Sequence, residues 1–154
     1  MTTAADLRDV LQRVPTGVSV VTVASGTQRI GLTVATLVSL SLDPPLVGVA
    51  ISRQAAAHEL LREARACAIS LLAADQAELA EHFARGVPPI AMWEGVSVVE
   101  GSDPPVLTDA VGWLECSLRE ELPAGTHTLF VLDVRHAGTG RQADPLVRVG
   151  GSFR

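Results

Sequence analysis

Cysteine is scarce, with two in 154 residues. Cys67 and Cys116 each sit in or beside an apolar run, as buried thiols do. They are expected to be reduced core residues of a cytoplasmic protein, not a disulfide framework. Charge is scarce too: Asp, Glu, Lys and Arg make up 19% of the chain, and the net charge is −5. With a pI near 5.3 there is no basic surface for a polyanion, which excludes nucleic acid as an expected partner. The start, M-T-T-A-A-D-L-R-D-V, has acidic residues where a secretory leader has a basic start and a long apolar run. Apolar stretches are broken by Pro, Gly and hydroxyl residues before they reach the ~20 residues of a membrane span. The expectation is a soluble protein without membrane association.

The familiar catalytic signatures are missing as well. His58-Glu59-Leu60-Leu61-Arg62 begins like a zinc-protease helix, but Arg62 stands where the second His is required. Gly138-Thr139-Gly140-Arg141-Gln142-Ala143 matches a dinucleotide fingerprint by letters. It runs into the strand-like D-P-L-V-R-V, where a phosphate-binding helix is needed, and so reads as a turn. Neither a GxSxG elbow nor a P-loop occurs, which removes common hydrolase and triphosphatase routes. The histidines 58, 82, 127 and 136 have no metal-binding spacing with cysteine or with one another, so no metal site is expected.

What the chain does have is apolar residue, at 47% with a mean hydropathy of +0.31. Its length predicts one domain over residues 1–154, and its hydropathy points to a further apolar surface buried between subunits, most simply of a homodimer. Leu7, Val10, Leu11 and Val14 have helical spacing after Thr3, which can cap with Asp6. Gly17 to Ala24 is β-branched and reads as a strand, with Ile30 to Thr36 returning as its hairpin partner. L-V-G-V-A-I-S after Pro45 is a buried strand ending at Ser52 and Arg53. Ala55 to Ala66 predicts a helix, Cys67 to Ala73 a strand, and Asp75 to Gly86 a second capped helix. Val87 to Val106 reads mostly as loop. Ala110 to Glu121 and Thr126 to Ala137 resume strand patterning, joined by Pro123 to Gly125, and Pro145 to Val149 is the last run. About seven strands without regular βαβ alternation predict an antiparallel barrel with two or three helices outside.

Gly31 to Pro45, G-L-T-V-A-T-L-V-S-L-S-L-D-P-P, stands out in this series. Thr33, Ser39 and Ser41 share one parity of an extended segment, which suits either a plain amphipathic strand or the wall of a ligand groove. Pro44-Pro45 removes two backbone donors and marks a turn. Arg53, at a strand end beside a helix start, is a phosphate candidate or the partner of a surface carboxylate such as Glu59. His127, at the start of T-L-F-V-L-D-V, is either a structural strand-end residue or an imidazole held at a barrel mouth.

Taken in order, several stretches resemble the flavin reductase family, the reductase partners of two-component flavin monooxygenases. They are P-T-G-V-S-V-V-T at Pro15 to Thr22, G-L-T-V-A-T-L-V-S-L-S-L-D-P-P-L-V at Gly31 to Val47, and H-F-A-R-G at His82 to Gly86. P-V-L-T-D-A-V-G-W-L-E-C at Pro105 to Cys116, G-T-H-T-L-F-V-L-D-V at Gly125 to Val134, and D-P-L-V-R-V-G-G-S-F-R at the end complete the series. The resemblance implies a mainly β, antiparallel split barrel of Greek-key type, and a homodimer. It also implies FMN or FAD as cofactor, NADH or NADPH as hydride donor, and a monooxygenase that receives the reduced flavin. Thr33, Val34, Ala35, Thr36 and Ser39 then correspond to the wall of the isoalloxazine site. Ser52, Arg53 and His58 lie toward the flavin phosphate, and Phe83, Ala84 and Arg85 toward the flavin tail. His127 and Phe153 correspond to the nicotinamide side, with no catalytic acid, base or nucleophile among them. Ala35-Thr36 replaces the family's Asn-Ser or Ser-Ser, Thr126 replaces an Asp before the histidine, and Ala55-Ala56-Ala57 stands where a hydroxyl is common. A flavin- or heme-binding carrier on the same barrel is the alternative that the resemblance leaves open.

Overall fold

A computed structural model describes residues 1–154. The chain runs from helix α1 (Ala4–Leu11) through strands β1 (Thr16–Gly17), β2 (Ser19–Ser25), β3 (Gln28–Val34), β4 (Val38–Leu42) and β5 (Pro45–Ser52) to helix α2 (Ala56–Ala64). Strand β6 (Ala66–Leu71), helices α3 (Ala77–Ala84) and α4 (Pro89–Met92), and strands β7 (Gly112–Ala124), β8 (His127–Thr139), β9 (Val147–Val149) and β10 (Ser152–Phe153) follow. Seven strands form one antiparallel sheet in the order β3-β2-β6-β7-β8-β5-β4. The two outermost strands, β3 and β4, are consecutive in the chain and joined only by Ala35 to Leu37. That short link curls the sheet, brings β3 against β5, and makes the split barrel that the sequence predicts.

The β-branched run of β2 lies between β3 and β6 and is buried from Ser19 to Val23, as a strand covered on both faces should be. Helix α2 packs on β2 and also touches β3, β5 and β6 through Ala57, Leu60 and Leu61. These side chains join Val20, Val49, Ile51, Ile69, Phe130 and Leu132 in the main apolar core. Cys67 and Cys116 are cross-strand neighbours in β6 and β7, buried and unbridged. The long β7–β8 hairpin turns at Gly125, whose φ of +64° suits a residue without Cβ. A separate three-stranded sheet, β1-β9-β10, is closed by the tight turn at Gly150 and Gly151, both at positive φ. No helix is long and apolar enough to cross a membrane.

Several sequence expectations are corrected. Strands β1, β4 and β10 raise the strand count above the seven expected, and the one-turn α4 makes a fourth helix inside the stretch read as loop. That stretch is well packed: Met92 is buried, and Trp93 Nε1 donates to the Arg29 carbonyl at 2.7 Å. Helix α3 is not capped by Asp75, because Asp75 lies before its start at Ala77 and pairs with Arg141 instead. The Arg141 guanidinium holds the Asp75 carboxyl below the ordinary range. Helix α1 carries the expected Thr3–Asp6 capping box, but it ends at Leu11 and buries none of its residues.

Gly31 is needed for close approach. A Cβ there would lie 2.5 Å from the ring of Phe83, which is buried against Trp93 with ring centroids 5.2 Å apart. A Gly31→Ala chain should lose about 1–3 kcal/mol of stability through overpacking. Urea unfolding checks this as a lower midpoint with unchanged slope.

Candidate functional site

The β3–β4 link and the small sheet together form a cleft with two lobes. The inner lobe, about 270 Å³, is bounded by Thr33, Val34, Ala35, Ala84, Arg148 and Phe153 among others. The outer lobe is a groove of about 610 Å³ between α1, with Leu7, Arg8 and Leu11, and the segment carrying Ala35, Thr36 and Arg148. Ala35, Arg148 and Gly151 line both lobes, so the two are continuous. Their joint size is in the range of small-molecule sites. No carboxylate lines either lobe; the only charged residues are Arg8 and Arg148. Such a lining suits a flat apolar ring carrying acidic groups.

The walls are held by hydroxyls bonded within the chain. Thr33 Oγ1 donates to the Ala80 carbonyl at 2.6 Å, tying β3 to α3. Thr36 Oγ1 donates to the Ala50 carbonyl at 2.9 Å and accepts from the Ala50 N–H at 3.1 Å, so a side chain extends the β5 ladder where β4 has not yet begun. The hydroxyl protons of Thr33 and Thr36 are therefore engaged by the main chain, and a ring in the cleft would meet the backbone and apolar groups of this segment.

A second cluster lies at the end of β5. Ser52 is the cross-strand partner of His127, and the Arg53 N–H donates to the Thr126 carbonyl at 3.1 Å. His127 Nδ1 and Thr126 Oγ1 are 2.9 Å apart. Arg53 is exposed and pairs with no carboxylate, because Glu59 binds His58 and Arg62 instead. Helix α2 begins after Ala55, which offers no side-chain acceptor to the first-turn N–H groups. An unpaired guanidinium, the Ser52 hydroxyl and an uncapped helix start fit a phosphate. Ala50, bonded to Thr36, is two residues from Ser52, or about 7 Å along the strand, so this cluster adjoins the groove.

Of the residues singled out in the sequence, Thr33, Val34, Ala35, Ala84 and Phe153 meet in the inner lobe, and Ala35 and Thr36 reach the outer one. Ser52, Arg53 and His127 form the second cluster. The others stand elsewhere. Ser39 is exposed on β4 opposite Val47 and lines neither lobe, nor does the exposed Arg85 at the end of α3. Phe83 is turned inward onto Gly31 and is 3% exposed. His58 is also buried, at 5%. Its Nδ1 lies 3.1 Å from Glu59 Oε1 and its Nε2 2.8 Å from Thr128 Oγ1, and its ring tilts against Phe130. Both ring nitrogens are thus engaged within the chain, Nδ1 by Glu59 and Nε2 by the Thr128 hydroxyl. Hydrogen bonds from His58 and then Arg62 hold the exposed Glu59 carboxyl below its ordinary range. The linkage resembles a carboxylate–imidazole–hydroxyl triad, but Thr128 is buried and cannot meet a substrate. Side chains of Phe83 and His58 thus support the walls from behind.

Arg148, Gly151 and the residues of α1 were not among the site residues expected from the sequence. The signal for Arg148 was a charged residue inside V-R-V, directly before the Gly150-Gly151 turn that pairs it with Phe153.

A carboxylate-free cleft on a split barrel suits a nucleotide or a flavin, and sequence comparison shows the family. The pattern of the flavin reductase-like domain matches residues 11–154, and the chain belongs to that family. It is 36% identical over 128 residues to an NADH:FMN oxidoreductase of Rhodococcus qingshengii, covering 83% of this chain and 67% of that protein. It is 35% identical over 147 residues to the reductase component of the 4-hydroxyphenylacetate 3-monooxygenase of Thermus thermophilus, covering 96% and 93%. The fold superimposes on an NADH:FAD oxidoreductase of Streptomyces globisporus with a TM-score of 0.92 and 34% identity, over 100% of this chain and 95% of the other.

If His58 is a support and not a ligand, a His58→Ala chain should lose about 2 kcal/mol of stability, from the unpaired Thr128 hydroxyl and the lost packing. The flavin affinity of the folded fraction should stay within about twofold, which fluorescence titration below the melting temperature measures.

Proposed function

We propose that this chain is an NAD(P)H:flavin oxidoreductase that reduces FMN or FAD and supplies the reduced flavin to a partner monooxygenase. The observation that carries the reading is the continuous cleft lined by Thr33 to Thr36, free of carboxylates and adjoining the unpaired Arg53, in a chain of the flavin reductase-like family. Bound flavin would supply the redox chemistry, taking up a hydride from reduced nicotinamide.

The chain supplies binding and orientation. Thr33 to Ala35 hold the ring system by backbone and apolar contact, and Ala84 and Phe153 close the inner lobe. Backbone N–H groups of a fixed segment stabilise negative charge on a reduced ring without reorganising, because Thr33 and Thr36 pin that segment to α3 and β5. Arg53, Ser52 and the start of α2 hold the phosphate, while His127 faces the nicotinamide side from the same sheet end. No acid–base pair is needed for a hydride that moves directly between two rings.

Purified protein should oxidise NADH or NADPH when FMN or FAD is added, followed as loss of the reduced-nicotinamide absorbance; flavin binding without any turnover would favour a carrier instead. Arg53→Ala should weaken FMN binding by about tenfold or more, as expected for lost charge-assisted hydrogen bonds, and leave riboflavin, which has no phosphate, within about twofold.

The assembly proposed is a homodimer. β4 is an edge strand, paired only with β5, and it leaves Val38, Leu40 and Leu42 exposed, Leu42 at 90%. Such an apolar edge is suited to burial against a second copy. Light scattering should give twice the chain mass for the native protein and the single mass for Leu40→Lys/Leu42→Lys.

A further inference from the structure

His58 is a buried ionisable side chain that touches neither lobe of the cleft. It stands in the first turn of α2, with Nδ1 at 3.1 Å from Glu59 Oε1, Nε2 at 2.8 Å from Thr128 Oγ1, and its ring against Phe130. No buried side-chain nitrogen or oxygen is left without a partner, so this polar chain is fully satisfied and holds its members in place. Thr128 is the second residue of β8 and follows His127 directly. Successive strand residues point to opposite faces, so a Thr128 hydroxyl held from inside fixes the face that His127 turns outward. The strand start needs such a hold. It follows the Gly125 turn, and Pro123, opposite Thr128 on β7, has no N–H to give to the ladder. Helix α2 grips both strands of the hairpin near this turn. His58 takes Thr128 of β8, and Arg62 Nε meets Glu121 of β7 at 2.7 Å. Glu59 joins the two arms, with Arg62 Nη1 at 3.3 Å from the oxygen that binds His58.

We infer that His58 is a positioning residue for His127: the Glu59–His58–Thr128 chain sets the start of β8 from behind, and with it the place of the His127 imidazole beside the nicotinamide. This rests on the function proposed above, in which His127 faces the nicotinamide side. The other holds on His127 lie in front, where Thr126 Oγ1 is 2.9 Å from Nδ1 and the Arg53 N–H donates to the Thr126 carbonyl at 3.1 Å. Those contacts orient the ring and the turn; the buried chain sets the depth of the strand against α2. The same helix begins after Ala55, next to Ser52 and Arg53. One element therefore relates the residues proposed for the flavin phosphate to the residue proposed for the nicotinamide. His58 itself meets no ligand and passes no proton to one. Loss of its contact changes affinity for one nucleotide and leaves the other alone.

The test is steady-state oxidation of NADH or NADPH with added flavin, with KM for the nicotinamide dinucleotide, kcat and flavin affinity read separately. The variants are Thr128→Val, Thr128→Ser, Glu59→Gln, His127→Ala and the pair Thr128→Val/His127→Ala. Thr128→Val keeps the shape and removes the hydroxyl; it should raise KM about fivefold, as expected for one lost hydrogen bond, with kcat and flavin affinity within about twofold. Thr128→Ser should restore the native KM. His127→Ala should raise KM at least as much, and adding Thr128→Val to it should change KM no further, because a positioning contact acts through the residue it positions. A merely structural contact would lower the melting temperature and leave KM where it was. Thr128 is buried, so Glu59→Gln provides a variant at an exposed position, with an expected rise in KM of about twofold and native circular dichroism. The inference is overturned if KM is unchanged in folded Thr128→Val, or in Glu59→Gln should Thr128→Val not fold. It is also overturned if flavin affinity falls in step with KM, if His127→Ala keeps the native KM, or if the two substitutions multiply. Any of these in a chain that turns over refutes this inference alone. A native chain without turnover refutes the function, and the affinity of the same variants for NAD+ by calorimetry then decides the inference by the same pattern.

Discussion

The paired hydrogen bonds between the Thr36 hydroxyl and both main-chain groups of Ala50 are the constraint on which the site depends. They occur where the chain leaves one outer strand of the sheet and enters the other. A ladder position that would otherwise be empty is filled by a side chain. This lets Ala35 to Leu37 cross between edges without stranding buried polar groups. Everything that bounds the cleft follows from that crossing: the inner lobe lies on the β3 side of it, the groove under α1 on the other, and the Ser52 end of β5 two residues beyond Ala50.

The lining of the cleft is divided between two sheets. The large sheet supplies Thr33 to Ala35 and the β5 end with Ser52 and Arg53; the small sheet supplies Phe153 and Arg148, set by the Gly150-Gly151 turn. The core behind them is built mostly from Val, Ile and Leu, with Phe83 and Phe130 as the large rings. Phe83 reaches its place because Gly31 has no side chain to oppose it, and the α3 carbonyl at Ala80 is thereby near enough to take the Thr33 hydroxyl proton. The ring wall is thus fixed from behind by packing and from the side by one hydrogen bond.

Much of the fold was legible in the chain. β-branched runs between Gly and Pro punctuation marked the long strands, and the absence of βαβ alternation pointed to an antiparallel barrel. Residue order along Gly31 to Pro45 marked an extended segment, of which Thr33 to Thr36 line the cleft while Ser39 and Ser41 do not. What could not be read was where long-range contacts take side chains. His58 sits one turn into a helix whose start suits a phosphate, but the direction of its ring is decided by Thr128, seventy positions away in sequence. Asp75 looks like a helix cap until Arg141 competes for it. Arg148 was invisible because its meaning comes from two lobes meeting, a tertiary event without a sequence period. The short strands β1 and β10 escaped for a related reason, since two residues are too few to show alternation.

The cysteine pair has a consequence for an enzyme of this chemistry. Reduced flavin free in air passes its electrons to dioxygen and yields peroxide, so a flavin reductase works in the presence of an oxidant of its own making. Cys67 and Cys116 face each other across β6 and β7 in the dry centre of the sheet, and the adjacent Cys116 side chain, reinforced by burial, pushes the Cys67 thiol well above its ordinary range. Peroxide attacks thiolates, and a thiol kept protonated and out of reach of water is a poor target. The placement confers chemical durability: the enzyme's only sulfhydryl groups are shielded from the by-product of its own turnover.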